Sequence, residues 1–265
     1  MNSTLYRQGM KGSWKLLLIF GAVLAMYFIV IITMFDPSLG SALDELNKAM
    51  PELMSIVGMN NSDSSLVGFI ASYLYGFLML VFPMVFSILT ANRLVARHVE
   101  RGSMAYLVVS PVSRVKVILT QLAVLVSGII ILVIYAFIIG VVSSEILFPG
   151  ELDIISYLYI NLGVLTLQLF IGGVCFLAST IFNETKYSIA LGAGITALGF
   201  IIQMLANAGQ QLENAKYATF FTLFNPQKII AGDGSAMVSM IILFIGAIIL
   251  YVCAINVFSK KDIPV

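Results

Sequence analysis

The sequence predicts an all-α membrane protein of six transmembrane helices, with its N- and C-termini both cytoplasmic. Three observations carry that expectation. Apolar residues make up 60% of the 265-residue chain and charged residues only 10%, where a soluble domain averages about 25% charged. Mean hydropathy is +1.03. The charges also cluster between uncharged runs, each reaching the ~20 residues that a helix needs to cross ~30 Å of hydrocarbon. Only a helix satisfies its own backbone hydrogen bonds in lipid, and the two-residue alternation of a membrane barrel strand is absent. These features exclude a soluble enzyme. A net charge of +1 supplies no basic field for nucleic acid. Cys175 and Cys253 both sit inside apolar runs, where thiols behave as small hydrophobes and not as a disulfide framework.

Taken in order, residues 1–15 mix Leu5, Tyr6, Met10 and Trp14 with Arg7, Lys11 and Lys15. That is the composition of an interfacial elbow helix. Span one follows at 16–35. It is too long for a signal-peptide core and lacks a small-residue cleavage site, so it is expected to remain uncleaved. The outer segment 36–63 places Leu39, Leu43, Leu46, Met50, Leu53 and Val57 at spacings of four and three. That stripe predicts an amphipathic helix, bent at Pro51, that either lids the spans or touches cargo. Span two lies within 64–92 and span three within 117–144, joined by the charged segment 93–116. There Gly102 should stop the helix running on from span two, and Ser110-Pro111 should turn the chain. Spans four, five and six lie within 154–183, 187–211 and 235–259. The aromatic-rich connection 212–234 reads as a piece dipping back into the outer interface.

Orientation follows from the cations. With both termini inside, 11 of the 14 Lys and Arg are cytoplasmic, and only Lys48, Lys216 and Lys228 lie outside. Loop cations set topology, so this asymmetry favours inside termini.

No span carries an ionisable residue near its middle. Ion-coupled transporters place one there because a charge in hydrocarbon needs a partner. The single histidine, His98, leaves no catalytic or metal constellation, so no metal site is expected, and no phosphate-cradling G-x-x-x-x-G-K-[ST] loop occurs. The chain therefore has no evident fuel of its own. Either it conducts passively or a separate subunit supplies the work.

The stretch Glu100-Arg-Gly102-Ser-Met-Ala-Tyr-Leu107-Val-Val-Ser110-Pro111-Val112-Ser113-Arg114 resembles the E-x-G-x-x-x-x-L-x-x-S-P-[VI]-S-R motif of ABC-2-type ATP-binding-cassette permeases. The Phe258-Ser-Lys-Lys261-Asp262-Ile263 tail is similar to theirs, as are Met50-Pro51-Glu52 and Phe224-Asn225-Pro226. That resemblance implies a type V exporter-like permease fold. The lack of a visible transit peptide or lipidation motif leads to the expectation of a plasma membrane, and size and simplicity to that of a bacterial one. Two copies of such a permease would pair with two cytoplasmic ATPase subunits, which hold the ATP and Mg. The family exports peptides, antibiotics, lipids or polysaccharide. A compact chain without a large outer domain looks most like the bacitracin-type and modulin-type peptide exporters. Glu100 and Gly102 match the motif; Arg97 and Arg101 join them as ATPase-coupling candidates on charge and expected exposure.

Other candidate residues come from the spans themselves. Tyr73, Tyr75, Gln203 and Asn207 could guide an amphipathic cargo, or serve only as interfacial belt and helix-helix hydrogen bonds. Small residues on span five, among them Ala190, Gly194 and Ala197, permit close helix approach, either at a homodimer seam or within one subunit. Competing functions are a lipid or polysaccharide exporter of the same family, a passive channel, a secondary transporter and a non-transporting scaffold.

Overall fold

A computed structural model describes residues 2–35, 50, 65–102, 113–207 and 210–261. Among these residues there is no strand, and six helical stretches are long and apolar enough to cross a membrane. The first is α1 (Ser3–Thr33). The second is built in pieces: α2 (Leu66–Tyr73), a π-helical turn at Leu74–Leu78, α3 (Met79–Leu94) and the short α4 (Ala96–Glu100). Two uninterrupted helices follow, α5 (Arg114–Leu147) and α6 (Ile154–Ile181). The fifth is α7 (Thr185–Asn207). Two 3-10 turns, Gln210–Ala218 and Phe220–Leu223, then lead into α8 (Pro226–Ile230) and the sixth stretch, α9 (Gly234–Lys260).

The starts of these helices are written in short polar side chains. Asn2, Ser65, Ser113, Asp153 and Asp233 each accept hydrogen bonds from the first free amides of the helix that follows. Those amides have no intrahelical partner, and a side-chain acceptor is worth about 1 kcal/mol there. Asn225 does the same for α8, with Pro226 in the first turn where its missing N–H costs nothing.

At the centre of the bundle stands α6. Two-thirds of its spanning stretch (67%) is buried, against 22% for α7 and 28% for α1 and α9. It packs on α9, α7, α3 and α5, while α1 lies along α5 and reaches α3. Glycine makes the tightest of these approaches possible. A Cβ on Gly173 of α6 would stand 3.0 Å from the Leu250 Cβ of α9. Alanine there would make Leu250 give way by a few tenths of an ångström.

The segment expected over 1–15 as an interfacial elbow helix is helical from Ser3. It is continuous with the first span in one 31-residue helix. Tertiary contacts along the bundle account for this. The Tyr6 hydroxyl donates to Ser127 Oγ at 2.9 Å, and the Asn2 amide donates to Thr120 Oγ1 at 3.1 Å. Leu5, Tyr6 and Met10 pack on the core. The segment is thus held against α5.

Helices alternate in direction, which gathers Arg93, Arg97, Arg101, Arg114 and Lys261 at one end. Lys261 Nζ donates to the carbonyls of Thr180, Ile181 and Phe182 at 2.8–3.0 Å, and Arg114 donates to the Lys261 carbonyl at 3.0 Å. Burial pushes the Lys261 ammonium below its usual value. A cation on the last free carbonyls of α6 also meets the negative end of that helix. The opposite end is closed by rings: Phe35 stands edge-on to Phe69 at 5.5 Å and to Phe148 at 5.2 Å. The expected outer stripe over 36–63, apart from Met50, lies outside the described residues, as do the Ser110-Pro111 turn and Asp262-Ile263.

Candidate functional site

Among the described residues, two regions of the bundle combine polar groups with open space. The first grows from the interruption of the second span. Pro83 sits inside α3 and has no N–H, so the Met79 carbonyl four residues earlier loses its helical donor. In lipid that orphan would be costly. Gln168 of α6 relieves it, its Nε2 donating to the carbonyls of Met79 and Leu80, each at 3.0 Å. One turn earlier the chain widens into the π-helical turn, which carries Tyr75. This wider winding is a recurrent feature of functional sites.

Tyr75 is fully buried, and its hydroxyl donates to Asn161 Oδ1 at 2.8 Å and lies 3.2 Å from the Tyr157 hydroxyl. Tyr157 in turn donates to the Ala136 carbonyl of α5 at 3.2 Å. Gly140 makes room for it, since a Cβ at that position would collide with the Tyr157 hydroxyl. The network ties the π-helical turn, α5 and α6 together.

Beside this network a cavity of about 200 Å³ is lined by Tyr75, Gly76, Leu80, Gln203, Asn207, Phe221, Phe224, Asn225, Pro226 and Gln227. A wider cavity of about 890 Å³ shares Gln203, Asn207, Phe224 and Asn225 with it and opens among the 3-10 turns, α8 and the start of α9. Three of the four sequence-predicted path residues therefore meet at one place. Gln203 Nε2 donates to Asn207 Oδ1 at 3.1 Å, and Thr222 donates to Gln203 Oε1 at 2.6 Å. Tyr73 is not among the lining residues; its half-buried ring lies against Phe69, 4.5 Å between centroids. The helical offset of two positions turns it away from Tyr75. Phe220 and Phe221 of the predicted interfacial connection pack down onto Phe170 and Phe200. Tyr217 remains 81% exposed.

The second region is at the basic end. Regular α-helix stops at Leu94, Val95 leaves the helical region (φ −124°, ψ −72°), and α4 starts as a separate turn. Gly102 at φ +69° ends it, as expected, its amide bonding the Val99 carbonyl at 3.0 Å. Arg97, Glu100 and Arg101 are exposed, and Arg93 is half-buried. These four and Leu89, Asn92, Thr185 and Ile189 surround a cleft of about 280 Å³. The Thr185 hydroxyl donates to the Glu100 carboxylate, joining α4 to the first residue of α7. The coupling candidates are thus brought together, with a direct tie to the span behind them.

The small residues of α7 divide between two faces. Gly192, Thr196 and Gly199 are buried, with Gly192 facing Cys175 and Ala178 of α6. Ala190 is exposed, Ala197 is half-buried, and nothing lies within 4 Å of a Cβ built on Gly194. So Ala190 and Gly194 stand on a face that the single chain leaves open.

Sequence reasoning missed Gln168, Asn161 and Tyr157. Their signal was present: polar side chains in mid-span, and a proline within the second span that needed a donor from elsewhere. No curated protein matches the chain. A polytopic helical bundle with a proline-broken second span and a charged helix at its basic end is thus what the family looks like in this representative: the chain belongs to DUF2705, a family of proteins of unknown function, which matches residues 47–264.

Proposed function

We propose that the chain is the membrane subunit of an ATP-driven exporter in a bacterial plasma membrane. It moves amphipathic peptides, antibiotics or toxins across or out of the bilayer. Two copies of a separate cytoplasmic ATPase bind the ATP and Mg, and a second copy of this permease completes the assembly. The basic end faces the cytoplasm, in line with the cation asymmetry, and the fold is that of an ABC-2-type permease.

One observation carries this reading. A short helix, α4, stands apart from its span, bears Arg97, Glu100 and Arg101 on exposed positions, and is tied through Glu100 to Thr185 at the start of α7. A partner pressing on α4 would move α7. The second span can yield to that motion at the π-helical turn and Pro83. Gln203 and Asn207 at the far end of α7 would then shift against Tyr75, changing the access of the shared cavity. The cavity offers aromatic and amide groups, which suit a cargo with both apolar and polar faces.

The test is Glu100→Ala, co-expressed with whichever Walker-type ATPase co-purifies with the unaltered chain from its native membrane. The variant should stay monodisperse with unchanged thermal unfolding. Cargo-stimulated ATP hydrolysis should fall about fivefold or more, the lower range of a site-to-site coupling. Hydrolysis and export at wild-type level would remove the coupling role, and failure of any such ATPase to co-purify would remove the exporter reading.

A further inference from the structure

We infer that the cleft between the last turn of α3, α4 and the first turns of α7 seats the headgroup of phosphatidylethanolamine, a phospholipid that carries a phosphodiester and a primary ammonium together. The cleft measures about 280 Å³, near the lower end of small-ligand sites. Its wall presents two kinds of polar group. Arg93, Arg97 and Arg101 supply guanidinium donors, and among the described residues no ion pair holds them. The acid in the described lining, Glu100, takes the Thr185 hydroxyl instead. A phosphodiester offers the acceptor oxygens that a guanidinium reads best.

The second kind of group wants a donor. Asn92 is only 4% exposed, and its Nδ2 donates to the Ile88 carbonyl at 2.8 Å, which leaves Oδ1 buried with no hydrogen-bond partner. A buried acceptor without a donor is costly. Arg93, next to it in sequence, does not supply one: its guanidinium reaches toward α1, 3.9 Å from a Cβ placed on Gly12. Asn92 shares the wall of the cleft with the Glu100 carboxylate. An ammonium brings three N–H donors and a positive charge, and so suits a carboxamide oxygen and a carboxylate together. A bare phosphate would satisfy the arginines and leave Asn92 unanswered, and a choline nitrogen has the charge but no N–H.

What adjoins the cleft separates a lipid from a soluble zwitterion. Leu89 of α3 and Ile189 of α7 also line it, and Leu89 is exposed. One turn further along each helix, Val85 and Ala193 continue the two rows, both half-buried. The rows end where Phe77 meets Phe200, 5.6 Å between ring centroids. From Ile189 to Phe200 the helix rises about 17 Å at ~1.5 Å per residue, close to the ~15 Å of one leaflet's hydrocarbon. An acyl chain can lie along this seam while its headgroup stays among the arginines.

The experiment uses the full chain purified in neutral detergent, with no ATPase present, so its result stands apart from the exporter reading. Native mass spectrometry follows palmitoyl-oleoyl phosphatidylethanolamine, phosphatidylcholine and phosphatidylglycerol in separate titrations. The ethanolamine lipid should fill one saturable site about tenfold or more tightly than the choline lipid, whose nitrogen keeps its charge and loses its donors. Asn92→Leu should remove most of that preference. Arg97→Gln/Arg101→Gln should weaken the ethanolamine lipid about tenfold or more. Ile189→Trp, which fills the cleft without altering a polar group, should also lower occupancy, and it decides the matter if a polar variant is not monodisperse. Equal binding of the ethanolamine and choline lipids, a preference that survives Asn92→Leu, or undiminished binding in the glutamine or Trp variant would overturn the site. Phosphatidylglycerol binding as tightly as phosphatidylethanolamine would show that negative charge alone is read and overturn the ammonium assignment. Displacement by millimolar O-phosphoethanolamine would reassign the cleft to a soluble zwitterion and overturn the lipid assignment.

Discussion

The second and third spans solve the same problem in opposite ways. α5 crosses as one 34-residue helix with no proline and a serine cap. The second span covers 35 residues only by joining α2, a π-helical turn, the proline-containing α3 and α4. A break in lipid is tolerable where a neighbour supplies the missing donor, and Gln168 supplies it. The contrast assigns rigidity to α5, where close packing sets the position of Tyr157, and compliance to the second span, where one side chain of α6 holds a joint together.

The sharpest way to break that contrast is at Gly140 on the rigid side. Any Cβ there meets the Tyr157 hydroxyl, so that hydroxyl must leave the Ala136 carbonyl and the Tyr75 hydroxyl together. Gly140→Ala should destabilise the chain by about 1–3 kcal/mol, an ordinary overpacking cost, and Gly140→Leu by more. Thermal unfolding in detergent reads both. An alanine variant that unfolds with the wild type would show that α5 gives way easily and is not the rigid element.

On the compliant side, Gln168→Leu leaves the Met79 carbonyl without its donor and should cost about 1–2 kcal/mol. Pro83→Ala returns an N–H to that carbonyl, so the double change should cost less than the sum of the singles. Strict additivity in that cycle would mean that glutamine and proline do not act on the same carbonyl. Smaller again is Lys261→Met, which removes three donors from the last carbonyls of α6. About 1 kcal/mol is expected, with faster hydrogen exchange confined to the end of α6. Loss spread over the whole bundle would contradict so local a role.

Much of this contrast could be read in advance from one sequence. Long uncharged runs located six apolar helices, because hydrophobic thickness constrains length so strongly. The first helix nevertheless starts at Ser3, well before its uncharged run, and the second stretch runs on to Glu100. Gly102 announced the end of α4, since a positive φ suits glycine best. Tyr75, Gln203 and Asn207 stood out as polar side chains in apolar surroundings, and they do share a cavity. What stayed hidden was pairwise. Nothing in the local sequence says that Gln168 faces Met79, 89 positions away, because a buried polar residue looks the same whether its partner is cargo, water or a backbone carbonyl. Tyr73 illustrates the converse: its composition matched Tyr75, and only helical phase separates them. The contacts of the expected elbow over 1–15 stayed hidden for a similar reason. Its amphipathic pattern fits an interface, yet Tyr6 and Asn2 find partners on α5.

The smallest expected effect concerns the end of the bundle remote from α4, where carboxylates and not lysine hold the helix termini. The Ser156 hydroxyl, then its amide and that of Ile155, hold the Asp153 carboxyl below its ordinary value. For Asp233 the Ser235 amide and then its hydroxyl do the same. Both groups bind their proton less readily when folded, so the unfolded chain holds more protons in the acid range and stability falls as pH falls. The contribution is complete at neutral pH and is lost as pH drops through the ordinary carboxylate value, about 4, to the lower folded value. Because both caps face solvent, the loss should be local and weak: fraying of the first turns of α6 and α9, read as reduced protection of their amides after correction for intrinsic exchange. Asp153→Asn keeps an acceptor for the Ile155 and Ser156 amides but has nothing to titrate. Its α6 terminus should therefore show the same protection at pH 3 and pH 7, while that of α9, still capped by Asp233, continues to fray in acid. If both termini lost protection equally in that variant, a general effect of acid on the bundle, and not the two caps, would be responsible.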